Sequence, residues 1–234
     1  MASTSIGESV ADGIGLIPGS FVNSFTYREG DEIYLIDTGF SANARPILRA
    51  FEAAHVPLAR VGKILLTHHH PDHVGGAASI LKNVSAPVSC HTEDVPFVDG
   101  RSRRPGPFLM RLLLRSHPVP VAVALKDQDM ISSLLVVHAP GHTPGEVAFY
   151  LPARKILFSG DAVVERKGRL TFPAPKAATS LEQAIQSLSR LRELDIELLL
   201  PGHGVPVTKD VASKIDDLIR RAPTEFLGRA APLR

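Results

Sequence analysis

His68 and His70 stand two residues apart in Thr67-His-His-His-Pro-Asp-His73. On an extended or tightly turned segment both imidazoles then point the same way, as two ligands of one ion must. Asp72 and His73 follow at once, and because Pro71 breaks any regular strand they can turn toward a second position close by. Three more ligand types sit in glycine-bearing turns after apolar runs: His142 in Ala139-Pro-Gly-His-Thr-Pro-Gly145, Asp161 in Phe158-Ser-Gly-Asp161, and His203 in Pro201-Gly-His-Gly204. Five imidazoles and two carboxylates suit two divalent ions, zinc before iron or manganese, and leave coordination open for water. The chemistry expected is hydrolysis by a hydroxide that bridges the two metals, with no serine or cysteine nucleophile required. Asp72 is the expected catalytic carboxylate, taking the proton of the attacking water and passing it to the leaving group. His55, His69, His91, His117 and His138 read as surface or satisfied structural groups.

The elements that must carry these residues are legible as apolar runs between turns. Ile14 to Ile17, Phe21 to Tyr27 and Glu32 to Asp37 read as a meander of strands, with Arg28-Glu-Gly-Asp31 as a turn. Residues 43–54 have helical spacing, and Val61 to Thr67 is an almost continuous apolar strand of the kind buried on both faces. Val74 to Leu81 suits a short helix and Pro87 to Cys90 a strand. A second meander is expected from Leu134–Ala139, Glu146–Leu151, Lys155–Ser159 and Arg169–Phe172. Leu181 to Leu194 carries an amphipathic stripe, Leu198-Leu-Leu200 is a buried strand, and Thr208 is placed to cap a last helix. This order suggests two facing sheets with helices outside.

Composition bounds the rest. The 234 residues suffice for one core and are read as a single domain, 1–234. No apolar run approaches a bilayer span, and the first basic residue is Arg28, so neither a membrane segment nor a secretory signal is expected and the chain is placed in the cytoplasm. The lone Cys90 excludes an internal disulfide and a thiolate cluster. A net charge of +2, with basic residues gathered around 101–104 and in the tail, gives no case for nucleic acid. The expected partner is a small-molecule substrate.

The Thr67-His-His-His-Pro-Asp-His73 loop with Gly75-Gly76 behind it, Pro140-Gly-His142-Thr-Pro-Gly, Ser159-Gly-Asp161 and Pro201-Gly-His203-Gly together resemble the metallo-β-lactamase superfamily, in its glyoxalase II-like and lactonase-like branch. The resemblance implies an α/β fold, an αββα sandwich of two mixed sheets with helices on both outer faces. It also implies that His68, His70 and His142 hold one metal, that Asp72, His73 and His203 hold the other, and that Asp161 bridges them. Asp37 in Ile36-Asp-Thr-Gly39 would support the metal loop from behind, with a turn cap as the alternative. The antibiotic-degrading lactamases generally lack an aspartate at the bridging position. Large glyoxalases II carry a helical glutathione-binding module, for which the residues after His203 are too few. Lactonases usually place a tyrosine just after the bridging aspartate, where this sequence has Ala162-Val-Val-Glu165. The expected substrate is therefore an ester, thioester or lactone, with side activity on phosphoesters and β-lactams allowed for. The alternative is a mononuclear iron oxygenase resembling the persulfide dioxygenases.

Residues 96–120 hold five prolines and two glycines and read as an insertion or lid over the cleft. Phe97 and Phe108 would offer it an apolar wall, and Arg103 and Arg104 would meet an acidic substrate. The bland alternative is an amphipathic surface helix or the contact of a homodimer.

Overall fold

In the computed structural model, residues 5–19, 21–40, 44–103, 116–172 and 179–227 are described, the side chains of 223–227 excepted. The first sheet has seven strands in chain order: β1 (Glu8–Ala11), β2 (Ile14–Pro18), β3 (Asn23–Glu29), β4 (Glu32–Ile36), β5 (Val61–Leu65), β6 (Val88–His91) and β7 (Val123–Leu125). It is antiparallel from β1 to β4 and parallel from β4 to β7. After β8 (Met130–Ile131) come three of the four runs expected in the second meander, β9 (Leu134–His138), β10 (Val147–Leu151) and β11 (Ile156–Gly160), while the fourth, Arg169–Phe172, does not join this sheet. A further strand, β14 (Leu198–Pro201), then pairs parallel with β11. Between them β12 (Val164–Arg166) and β13 (Arg169–Thr171) form a separate hairpin.

Two-residue periodicity builds the layers. Tyr34 and Ile36 face the second sheet while Leu35 faces outward; Leu65 faces inward while Ile64 and Leu66 face out. In the second sheet Phe149, Ile156, Phe158 and Leu200 turn inward, and Ala148, Leu157 and Leu199 turn out. The inner layer closes with an edge-to-face contact of Phe25 on Phe158 at 5.5 Å. Outside the first sheet, helix α1 (Ala44–Ala53) buries Ile47 and Phe51; outside the second, α5 (Leu181–Arg192) and α6 (Val211–Leu227) bury Leu188, Leu191, Ile215 and Leu218. The result is the four-layered αββα sandwich. Buried on both faces, its central strands read as unbroken apolar runs.

The differences from expectation are local. The third strand starts at Asn23, two residues late, which leaves Phe21 in the preceding loop and 76% exposed. Val74 to Leu81 is not one short helix: Val74 ends the single turn α2 (Pro71–Val74), and a second single turn, α3 (Ala77–Ile80), follows. The last helix opens at Val211, after Asp210 in the left-handed region at φ 54°, so Thr208 does not cap it. Among the described residues no helix is long and apolar enough to cross a membrane. The described ends of 96–120 are anchored rather than detached: helix α4 (Val95–Val98) buries Val98, and Val119 N donates to Val98 O at 3.1 Å. Arg104 and Phe108 lie outside the described residues.

Candidate metal centre

All seven ligand candidates converge at one end of the sandwich, each just beyond the carboxyl end of a strand. The run after β5 carries His68, His70, Asp72 and His73; the turns after β9, β11 and β14 carry His142, Asp161 and His203. Pro71 occupies the first position of α2, where its missing N–H costs nothing, and this single turn swings Asp72 and His73 past the histidines before them.

Three rings surround one point. His68, His70 and His142 stand nearly perpendicular to one another, with centroids 4.7 Å (68 to 70), 4.8 Å (68 to 142) and 4.5 Å (70 to 142) apart. Beside them His203 Nε2 lies 3.4 Å from Asp72 Oδ2 and 3.5 Å from His73 Nε2. Asp161 stands between the groups: Oδ2 is 3.4 Å from His142 Nε2, and Oδ1 is 3.4 Å from the Nε2 atoms of both His73 and His203. One donor atom from each member lies within 4.8 Å of the others in three sets: His68, His70, His142; His68, His73, Asp161; and Asp72, His73, His203.

The donor set fits divalent ions. His68 Nε2, both ring nitrogens of His142 and Asp161 Oδ1 are buried without a hydrogen-bond partner, a cost that native interiors rarely carry unless a ligand takes the atoms up. Protonation follows the same division. Burial, reinforced by neighbouring imidazoles, lowers His68 well below the usual histidine range and lowers His70 to about 3; burial lowers His142 to about 4 against the pull of Asp161. These three are neutral ligands in waiting. On the other side burial disfavours charge, but Asp37 and Asp161 raise His73 well above the ordinary value. Burial works against His203 too, but the carboxylates of Asp161 and Asp72, each 3.4 Å from its Nε2, raise it to about 9. Burial would lift both carboxylates, yet the hydrogen bond from His203 and the charge of His73 hold Asp72 at about 2, and His73 with His203 hold Asp161 well below its ordinary value.

Asp37 stands behind the histidine loop. Its Oδ1 accepts from Thr67 N at 2.8 Å, and its Oδ2 accepts from Thr67 Oγ1 at 2.8 Å and faces His73 Nδ1 at 2.7 Å. Three further buried carboxylates escaped the sequence reading. Asp94 joins the two histidine loops: Oδ2 accepts from His69 N at 2.8 Å and Thr143 Oγ1 at 3.0 Å, Oδ1 from Gly145 N at 2.9 Å. Burial opposes its charge, but these donors and His69 keep Asp94 below the ordinary carboxylate value. Glu146 accepts from Asp161 N at 2.8 Å, and burial followed by the charge of Asp161 raises it well above the ordinary value. Glu165 accepts from Val205 N at 2.9 Å while its own N donates to His203 O at 2.9 Å. Of the three, only Glu146 left a signal, a charge directly against the wholly apolar strand 147–151.

His69 is a buried structural group, its Nδ1 2.9 Å from Asp94 Oδ2 and its ring 4.5 Å from Phe97. Phe97 therefore backs the histidine loop, and Arg103 is exposed. His91 is also internal, stacked on His138 at 3.9 Å. The loop of Phe21 meets the site through its backbone, since Phe21 O accepts from His203 Nδ1 and Asn23 Nδ2 donates to Gly204 O at 2.9 Å.

Comparison with known proteins agrees with this geometry. Residues 17–203 match the family model for the metallo-β-lactamase superfamily. A probable metallo-hydrolase, YybB of Bacillus subtilis (strain 168), is 28% identical over 184 residues, 78% of this chain and 80% of the relative. Hydroxyacylglutathione hydrolase of Pseudomonas savastanoi pv. phaseolicola (strain 1448A / Race 6) is 34% identical over 206 residues, 80% of this chain and 67% of that one. Among solved structures, TTHA1623 in a di-iron-bound form superposes with a TM-score of 0.68 at 29% identity, covering 85% of this chain and 96% of that chain. By its motifs, its sandwich and the match over residues 17–203, the chain belongs to the metallo-β-lactamase superfamily.

Proposed function

We propose that this protein is a dinuclear hydrolase of an ester-type bond in a small molecule: an ester, thioester or lactone. The observation that carries the dinuclear reading is Asp161, whose two oxygens face different histidine groups at 3.4 Å each. Its ligands would be His68, His70 and His142 on one side and Asp72, His73 and His203 on the other, with Asp161 shared. Two divalent ions, zinc first, would supply an activated water and polarise the scissile carbonyl. The residues themselves do the remainder. Asp72, with a quarter of its side chain exposed against 6% for Asp161, is the carboxylate able to carry a proton between Oδ2 and the leaving group. Asp37 and Asp94 hold the histidine loops in place, so the ligands need not reorganise. A thioester has the added support of the relative named hydroxyacylglutathione hydrolase. The segment 96–120 would set the size and charge of substrate admitted.

The experiment is metal analysis of purified protein with a panel of thioester, lactone, aryl ester and phosphodiester substrates. Two metals per chain, with chelator-sensitive hydrolysis of an ester-type member, are expected. One iron per chain with oxygen consumption and no hydrolysis would refute the proposal.

A further inference from the structure

We infer that Glu146 is a positioning residue of the metal centre: it takes the proton on His68 Nδ1 and so fixes Nε2 as the nitrogen offered to the metal. The inference rests on the reading of His68 as a ligand. Glu146 is 0% exposed, and its Oε2, 3.1 Å from His68 Nδ1, meets no donor in hydrogen-bond geometry among the described residues, so it is a buried acceptor standing against that ring nitrogen. Its other oxygen accepts from Asp161 N at 2.8 Å, so one carboxylate touches ligands that arrive from different sheets. The chain makes room for it: a β carbon at Gly160, where φ is +52°, would fall 2.4 Å from Glu146 Oε1. On the far side of the ring His68 Nε2 is buried and unpartnered. An imidazole that ligates through Nε2 carries its remaining proton on Nδ1, and an acceptor there fixes both tautomer and ring angle. Thr67 Oγ1 is the hydrogen-bonded neighbour of Nδ1 at 3.1 Å, but its own proton goes to Asp37 Oδ2, so it too stands only as an acceptor there and does nothing for the unpartnered Glu146 Oε2.

Glu146→Gln separates the two contacts, since it keeps an oxygen for Asp161 N and replaces Oε2 by an amide that cannot accept from His68. Zinc affinity, measured by chelator competition on the full chain, is expected to fall about tenfold to a hundredfold. The melting temperature of the metal-free variant should stay within a few degrees of wild type, a result that a merely structural role would not give. In zinc-loaded wild type, the His68 ring should show its proton on Nδ1, strongly downfield in the nitrogen-correlated NMR spectrum, and the variant should lose that shift. Equal zinc affinity in variant and wild type overturns the inference, as does a wild-type His68 protonated on Nε2. Should the variant fold poorly, the wild-type tautomer decides alone. A wild-type chain that takes up no zinc overturns the ligand reading itself, and the wild-type titration reveals this before any variant is made.

Discussion

Asp94→Asn tests whether a buried carboxylate, rather than the metal, holds the two histidine loops together. The native side chain accepts from His69 N, Thr143 Oγ1 and Gly145 N, all between 2.8 and 3.0 Å. An amide that keeps its oxygen toward His69 and Thr143 turns its NH2 toward Gly145 N, and one buried N–H loses its partner. That loss costs about 1–3 kcal/mol, and the two surviving hydrogen bonds each weaken by about 1 kcal/mol without the charge. Relief from burying an anion offsets part of this, leaving about 2–3 kcal/mol, or a melting temperature lowered by about 5–10 °C in a chain of this size. The assay is urea and thermal denaturation in the presence of chelator, so that metal affinity does not enter. Gly145→Ala supplies a second arm, because its β carbon would come 2.6 Å from Asp94 Cγ. The two changes strike one contact, so the double variant should lose less than the sum of the singles. An Asp94→Asn midpoint equal to wild type, or strict additivity with Gly145→Ala, refutes the reasoning.

Three further outcomes are expected. Asp72→Asn should lower turnover at least tenfold and reduce occupancy of the second metal; wild-type turnover with both metals retained would remove Asp72 from proton handling. Zinc uptake by the metal-free protein should release protons at neutral pH, because His73 and His203 are raised, His203 to about 9, and must deprotonate to ligate. Affinity then falls as pH falls below about 9, and calorimetry in buffers of differing ionisation enthalpy would contradict this by showing no proton release. Phe158→Ala, deep between the sheets at 1% exposure, should cost about 3–5 kcal/mol in urea denaturation, and a loss under 1 kcal/mol would mean the inner layer repacks around the void.

The sequence displayed what burial on both faces makes visible. Val147–Leu151, and Ile64 and Leu65 at the end of Val61–Leu65, read as strand because both of their faces meet apolar layers, and the histidine loop was legible because metal ligation demands rare residue types at tight spacing. The edge strands of the first sheet were not legible. Glu8–Ala11 exposes two of its four residues and carries no apolar run, while Val123–Leu125 is apolar but only three residues long, with two of them exposed just behind the proline-rich segment. The supporting carboxylates were hidden for another reason: an Asp or Glu in a turn normally means a solvated charge, and only the folded chain brings the backbone amides of distant turns around Asp94 or Glu165. His69, read as a surface or structural group despite its place inside the ligand run, turns its ring away to Asp94 and Phe97.

The separate anchoring of each ligand turn also bears on how such a protein can change over generations. Asp37, Asp94, Glu146 and Glu165 fasten the turns to the scaffold from behind, through backbone amides that survive almost any exchange of neighbouring side chains. The connection from β6 to β7 departs from Val98 and returns at Val119, whose hydrogen bond closes its base. Lengthening, shortening or recolouring that connection leaves all four fastenings in place. Selection can therefore rewrite that connection without disturbing the turns that carry the seven ligand candidates.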